Sequence, residues 1–146
     1  MAEHSSSIDI AAPPGAVFDH LVTPDGLTAW MGTWAELDPR VGGLFAVDIA
    51  GYPVRGEYLV VDRPRAVAWS WGYAGSDDLP AGCSRVDIVL TATPGGTRVE
   101  LTHSNLPDPA VHGHADGWAN FLPRLAVATT GGTPGPDAWR PVPDRT

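Results

Sequence analysis

Alternation is the feature that most narrows what this chain can fold into. Between residues 44 and 101 apolar side chains return at every second position: Phe45, Val47 and Ile49, then Val67, Trp69 and Trp71, then Val86, Ile88 and Leu90, then Val99 and Leu101. A period of two puts each set on one face of a strand, and strands of this texture build antiparallel sheets with one face covered. After residue 107 the period changes. In "LPDPAVHGHADGWANFLPRLAVATT" the residues Val111, His114, Trp118, Phe121, Leu122 and Leu125 fall along one broad helical face. The fold class expected is therefore α+β, with a long C-terminal helix against the covered face of a sheet.

The remaining elements follow from local chemistry. "HSSSIDI" alternates at Ile8 and Ile10, predicting a strand over 4–10. Pro13 and Pro14 suit a helix start, Val17, Phe18 and Leu21 share its face, and Thr23-Pro24 ends it. A second short helix is expected over about 25–30, reaching Trp30 and Met31. "TPGGT" (93–97) reads as a hairpin turn. "DPRVGG" (38–43) invites an anion-cradle reading, because adjacent glycines let backbone N–H groups approach a phosphate. A strand rather than a helix follows it, so it reads as a turn with a bulge, with positive φ expected at Gly43. In the last helix Asp108 is the expected N-cap and Pro109 the first helical residue, and Pro123 should kink or divide it. Residues 131–146 are too rich in glycine and proline for regular structure, and Trp139 either docks back or belongs to a loose tail. One domain, 1–130, is expected, followed by this tail.

Charge and cysteine content exclude several functions. A formal net charge of −8, with nine arginines and no lysine, offers no basic cluster for nucleic acid. No stretch approaches the roughly 18–20 apolar residues that span a bilayer, and the N-terminus has no leader pattern. Cys83 stands alone, so neither an internal disulfide nor a cysteine-rich metal site is available. A reducing, cytoplasmic setting fits, and no cofactor is expected.

The stretches "IDIAAPPGAVFDHLVTPDGLTAW", "LDPRVGGLF", "VRGEYLVVDRPRAVAWSW", "GGTRVELTH" and "GWANFLPRL" occur in the order strand, two short helices, five or six strands, long helix. In this order the chain resembles the START-like (SRPBCC) superfamily, and within it the bacterial proteins similar to the activator of the Hsp90 ATPase. The resemblance covers nearly everything from residue 8 to 128. It implies a helix-grip fold, in which a curved antiparallel sheet wraps the C-terminal helix and leaves an elongated cavity. It also places Gly42 and Gly43 at the family's turn and Trp30 near the cavity mouth. The eukaryotic activator carries a further N-terminal domain that contacts the chaperone, for which this chain has no room, so a chaperone partner is not expected.

Six tryptophans in 146 residues are the most conspicuous chemistry. Trp69 and Trp71 share a strand face and Trp118 lies on the helix face, so with Trp30 and Phe121 they are candidates to line a pocket for an apolar ligand. Ordinary core packing accounts for them equally well. His112 and His114 lie roughly 200° apart around a regular helix and cannot share a metal there. His114 is in line with Val111 and Trp118, and His103 continues the phase of Val99 and Leu101. Both are candidate cavity residues, able to act as acid, base or ligand donor. Arg55 and Glu57 share a strand phase and read as an exposed pair, with polar anchors inside the cavity as the alternative. Cys83 has no base beside it and is read as inert.

Three functions compete. The leading one is binding of a small hydrophobic molecule between sheet and helix, without catalysis. The second is an enzyme of the polyketide cyclase or dehydratase type, using His103 or His114. The third is interaction with a chaperone or other partner. A homodimer is compatible with each, and the ligand's identity does not follow from the fold.

Overall fold

The computed structural model of the protein describes residues 2–135 and 137, so Trp139 and the end of the expected tail lie outside the described residues. The elements run β1 (Ala2–Ile10), α1 (Pro14–Val22), α2 (Pro24–Thr28), β2 (Trp34–Leu37), β3 (Leu44–Ile49), β4 (Tyr52–Asp62), β5 (Ala66–Trp71), β6 (Ser84–Thr93), β7 (Gly96–Leu106) and α3 (Asp108–Thr129). The strands form one seven-stranded antiparallel sheet in the order β1-β7-β6-β5-β4-β3-β2. This is the helix-grip arrangement, with two short helices after the first strand and α3 lying against β1 and α1.

The alternating residues form the inner wall. Val67, Trp69, Trp71, Val86, Ile88, Leu90, Val99 and Leu101 are all buried, as are Trp118, Phe121, Leu122 and Leu125 of α3. Antiparallel register aligns inward residues into rows across strands. One row reads His4, His103, Val86, Trp69, Tyr58. Trp30 is also fully buried: its indole Nε1 donates to the His20 carbonyl at 2.9 Å, and its ring meets Phe121 edge-on at 6.5 Å. It belongs to the core and not to a mouth at the surface.

Several local expectations need correction. β1 begins two residues earlier, because Ala2 already pairs with Leu106. α2 starts at Pro24 and ends at Thr28, with the Thr23 hydroxyl capping it by accepting from the Gly26 N–H at 3.1 Å. α3 has Pro107, not Asp108, at its N-cap, so Asp108 is the first helical residue and places a carboxylate in the first turn, near the helix's positive end. Pro123 does not divide α3, which runs unbroken from 108 to 129. The ring simply leaves one intrahelical bond unmade at an exposed position.

The 38–43 segment is a turn. The Asp38 N–H donates to the Leu44 carbonyl at 2.8 Å, and the Gly43 N–H to the Arg40 carbonyl at 2.7 Å. The positive φ belongs to Gly42, at +85°. Gly43 is required for a different reason: a Cβ there would overlap the Asp38 carbonyl oxygen. Arg55 does not pair with Glu57. Its guanidinium bonds Asp48 at 2.9 Å and lies over the Trp34 ring at 5.3 Å.

Candidate functional site

Trp71, His103, His114 and Trp118 come together where the end of β5 meets the first half of α3. The Trp71 ring lies 5.5 Å from His103, 6.3 Å from His114 and 5.4 Å from Trp118, and the two histidine rings are 5.0 Å apart. Phe121 extends the group at 6.2 Å from Trp118. Trp69 faces the same way as Trp71 but packs with other rings, stacked on Phe45 at 4.3 Å and edge-on to Tyr58 at 6.3 Å. Of the candidates, Trp71, His103, His114, Trp118 and Phe121 thus make one cluster. Trp30 joins it only through Phe121, and Trp69 sits beside it in a second aromatic group.

Hydrogen bonding fixes both histidine tautomers. The Trp118 indole can only donate, so its 3.1 Å contact makes His103 Nδ1 an acceptor. The Ser84 hydroxyl spends its proton on the Trp71 carbonyl at 2.7 Å, so at 2.9 Å it accepts from His103 Nε2–H. His103 is therefore neutral, with both nitrogens engaged. Burial, then the neighbouring His114 and His4, push its pKa down to about 2. His114 Nδ1 lies 2.8 Å from the Ala110 carbonyl, to which it must donate, leaving Nε2 to accept from the Tyr73 hydroxyl at 3.3 Å. Burial lowers the His114 pKa against the opposing pull of that carbonyl. Tyr73 is pushed up to about 12, chiefly by burial. The Trp71 indole N–H lies near enough to temper that rise without making a hydrogen bond.

The chemical consequences differ. His103 has no free lone pair or spare proton and is a fixed structural element. His114 and Tyr73 are only partly buried, so this pair retains proton-transfer capability. His112 points away, as helical spacing requires, and sits 3.7 Å from Asp116 at the surface. Among the described residues no group of three His, Cys, Asp or Glu is arranged to hold a metal. Burial pushes the Cys83 thiol up, which disfavours the thiolate.

Sequence reasoning passed over Tyr73, Ser84 and His4. Each carries a signal: Tyr73 lies two residues beyond Trp71, Ser84 two before Val86, and His4 in phase with Ile8 and Ile10. Among the described residues, four buried polar atoms make no hydrogen bond of good geometry, namely Trp69 Nε1, Trp71 Nε1, His4 Nε2 and Ser6 Oγ. Such groups cost about 1–3 kcal/mol each when left unpaired.

The family model for Activator of Hsp90 ATPase homolog 1-like proteins matches residues 11–129. The chain belongs to this family. Among solved structures, the Activator of Hsp90 ATPase homolog 1-like protein from Rhizobium etli shares 38% identity over 95% of this chain and 88% of its own, with a TM-score of 0.73. A protein from Mesorhizobium loti matches at TM-score 0.80 and 23% identity, over 88% of this chain and 97% of its own, and supports the fold alone. The Aha1 dimer from Colwellia psychrerythraea matches at TM-score 0.76 and 26% identity, over 90% of this chain and 98% of its own. No curated protein matches the chain. Among the described residues of this family member, no helix is long and apolar enough to cross a membrane.

Proposed function

We propose that this protein binds a small hydrophobic molecule between α3 and the inner face of the sheet, in a reducing cytoplasm and without cofactor or metal. The observation that carries the reading is the cluster of Trp71, Trp118, His103 and His114, in which aromatic faces from β5 and α3 meet beside buried N–H groups that lack partners. Aromatic walls with few polar groups are what ligand sites for apolar molecules are made of. The neutral fluorophore N-phenyl-1-naphthylamine tests this. Saturable binding at one site per chain is expected, weakened at least about tenfold in Trp118→Ala protein shown by circular dichroism to be folded. Absence of saturable binding to the parent protein defeats the reading.

A second reading, an acid–base enzyme of the cyclase or dehydratase type, is favoured by the Tyr73–His114 hydrogen bond. His103 is no candidate for that chemistry, since both its nitrogens are occupied. His114→Ala separates the two: a binding protein keeps its affinity within a few-fold, whereas an enzyme loses roughly a hundredfold or more in turnover while still binding. A chaperone partner rests on the family's name, and stimulation of a cognate Hsp90 ATPase by this chain would favour it.

A further inference from the structure

The inner wall holds hydrogen-bonding groups that the protein itself leaves unanswered. Trp69 is fully buried and its indole N–H, which can only donate, has no acceptor. Trp71, two residues along the same face of β5, is 3% exposed, and its N–H lies near the Tyr73 hydroxyl without making a hydrogen bond of good geometry. On the same inner face, three strands away on β1, His4 Nε2 and Ser6 Oγ are buried without partners. The placement is not scattered, because His4 and Trp69 lie in one cross-strand row and Ser6 follows His4 on the inward face. Buried polar groups nearly always find partners, so two donor-only indoles on one strand face, Trp69 with no acceptor in the chain and Trp71 with only the Tyr73 hydroxyl nearby, call for an acceptor from outside it.

Charge supplies the second constraint. Among the described residues the buried polar side chains are Ser70, Ser84, Thr97 and His103, and no arginine is buried. His103 is held neutral by its own hydrogen bonds, and burial disfavours the charged form of His114. An ionised carboxylate brought to this wall would lose its water and meet no counter-charge. A carbonyl or ether oxygen gives up far less hydration and gains the indole donors.

Building on the ligand-binding role above, on which this rests, we propose that the site selects an uncharged apolar molecule bearing a hydrogen-bond-accepting oxygen, held by the indole N–H groups of Trp69 and Trp71, and rejects the carboxylate of the same shape.

2-Acetylnaphthalene and 2-naphthoate match in shape and differ in charge, and naphthalene lacks the oxygen-bearing substituent altogether. Each is titrated calorimetrically against the full chain at neutral pH, while the indole N–H resonances, assigned through Trp69→Phe and Trp71→Phe, are followed by proton–nitrogen correlation. The ketone is expected to bind about tenfold tighter than naphthalene and tighter still than naphthoate. The Trp69 or Trp71 indole proton should move downfield with the ketone and not with the hydrocarbon. In Trp69→Phe, or in Trp71→Phe should the first fail to fold, the ketone's advantage should shrink while naphthalene binding persists.

Equal affinity for naphthalene and the ketone overturns the polar anchor and leaves the hydrophobic-binding role standing. Tightest binding of naphthoate overturns the charge argument. Indole protons bonded to buried water and unmoved by the ketone overturn the proposal as well. Failure of all three probes to bind removes both this inference and the function beneath it.

Discussion

The Trp118 indole Nε1 donates to His103 Nδ1 at 3.1 Å, tying α3 to β7 through a bond that exists only while the imidazole is neutral. Trp118→Phe keeps a six-membered aromatic ring but orphans a buried acceptor, a loss that should cost about 1–3 kcal/mol. Trp118→Ala also empties the space and should cost about 3–5 kcal/mol. Urea unfolding of both variants checks the order, and a Phe variant as stable as the parent would deny the bond its role.

Stability should fall in acid because of His103. The folded protein binds a proton there only near pH 2, whereas the unfolded chain binds one near 6.5. The unfolded state therefore takes up more protons below about pH 6.5, and stability drops from that point as pH falls toward the folded value. By about pH 5 this residue alone should have removed about 2 kcal/mol, with His114 acting in the same direction. His103→Gln retains an acceptor and a donor but cannot titrate. Its unfolding free energy should vary less between about pH 5 and pH 8 than the parent's, and an unchanged slope would reject the assignment.

At the 38–43 turn, two adjacent glycines should respond unequally. Gly42→Ala makes no clash, its methyl meeting only the Glu57 carboxylate at contact distance, and suffers mainly its left-handed φ, a cost of about 1–2 kcal/mol. Gly43→Ala drives a methyl into the Asp38 carbonyl and must move backbone, so it should be the more damaging of the two. Thermal melts of the pair decide it, and the reverse order would mean the turn is built differently.

Isotope-edited spectra of the imidazoles give an independent check on the site. His103 should appear as the Nε2–H tautomer and His114 as the Nδ1–H tautomer at neutral pH, the assignments that Ser84 and Ala110 impose. Identical tautomers at the two positions would break the hydrogen-bond scheme.

The inner wall was readable in the sequence because period-two alternation survives intact in β3, β5, β6 and β7. β4 escapes that pattern for two reasons. Gly56 stands between its buried residues Val54 and Tyr58, and the register with β5 slips between Tyr58 and Val60, so the run from Tyr58 to Val61 shows no alternation. In the site, strand and helix phase were enough to turn His103 and His114 inward. Their partners were not legible, because Ser84 and Tyr73 reach the histidines only once strands and helix far apart in sequence are in register. The Asp108 cap failed since Pro107 already has the extended φ and ψ of a cap and leaves Asp108 one place inside.

The pairing of β1 with β7 has a kinetic meaning. β1 finds its hydrogen-bonding partner some hundred residues later, with Ala2 opposite Leu106, and α3 packs on β1 in turn. This strand thus waits, with both edges and one face bare, until nearly the whole described chain exists. Closing so long a loop before any contact rewards it makes for slow folding, and during synthesis β1 depends on whatever else in the cell will shield it.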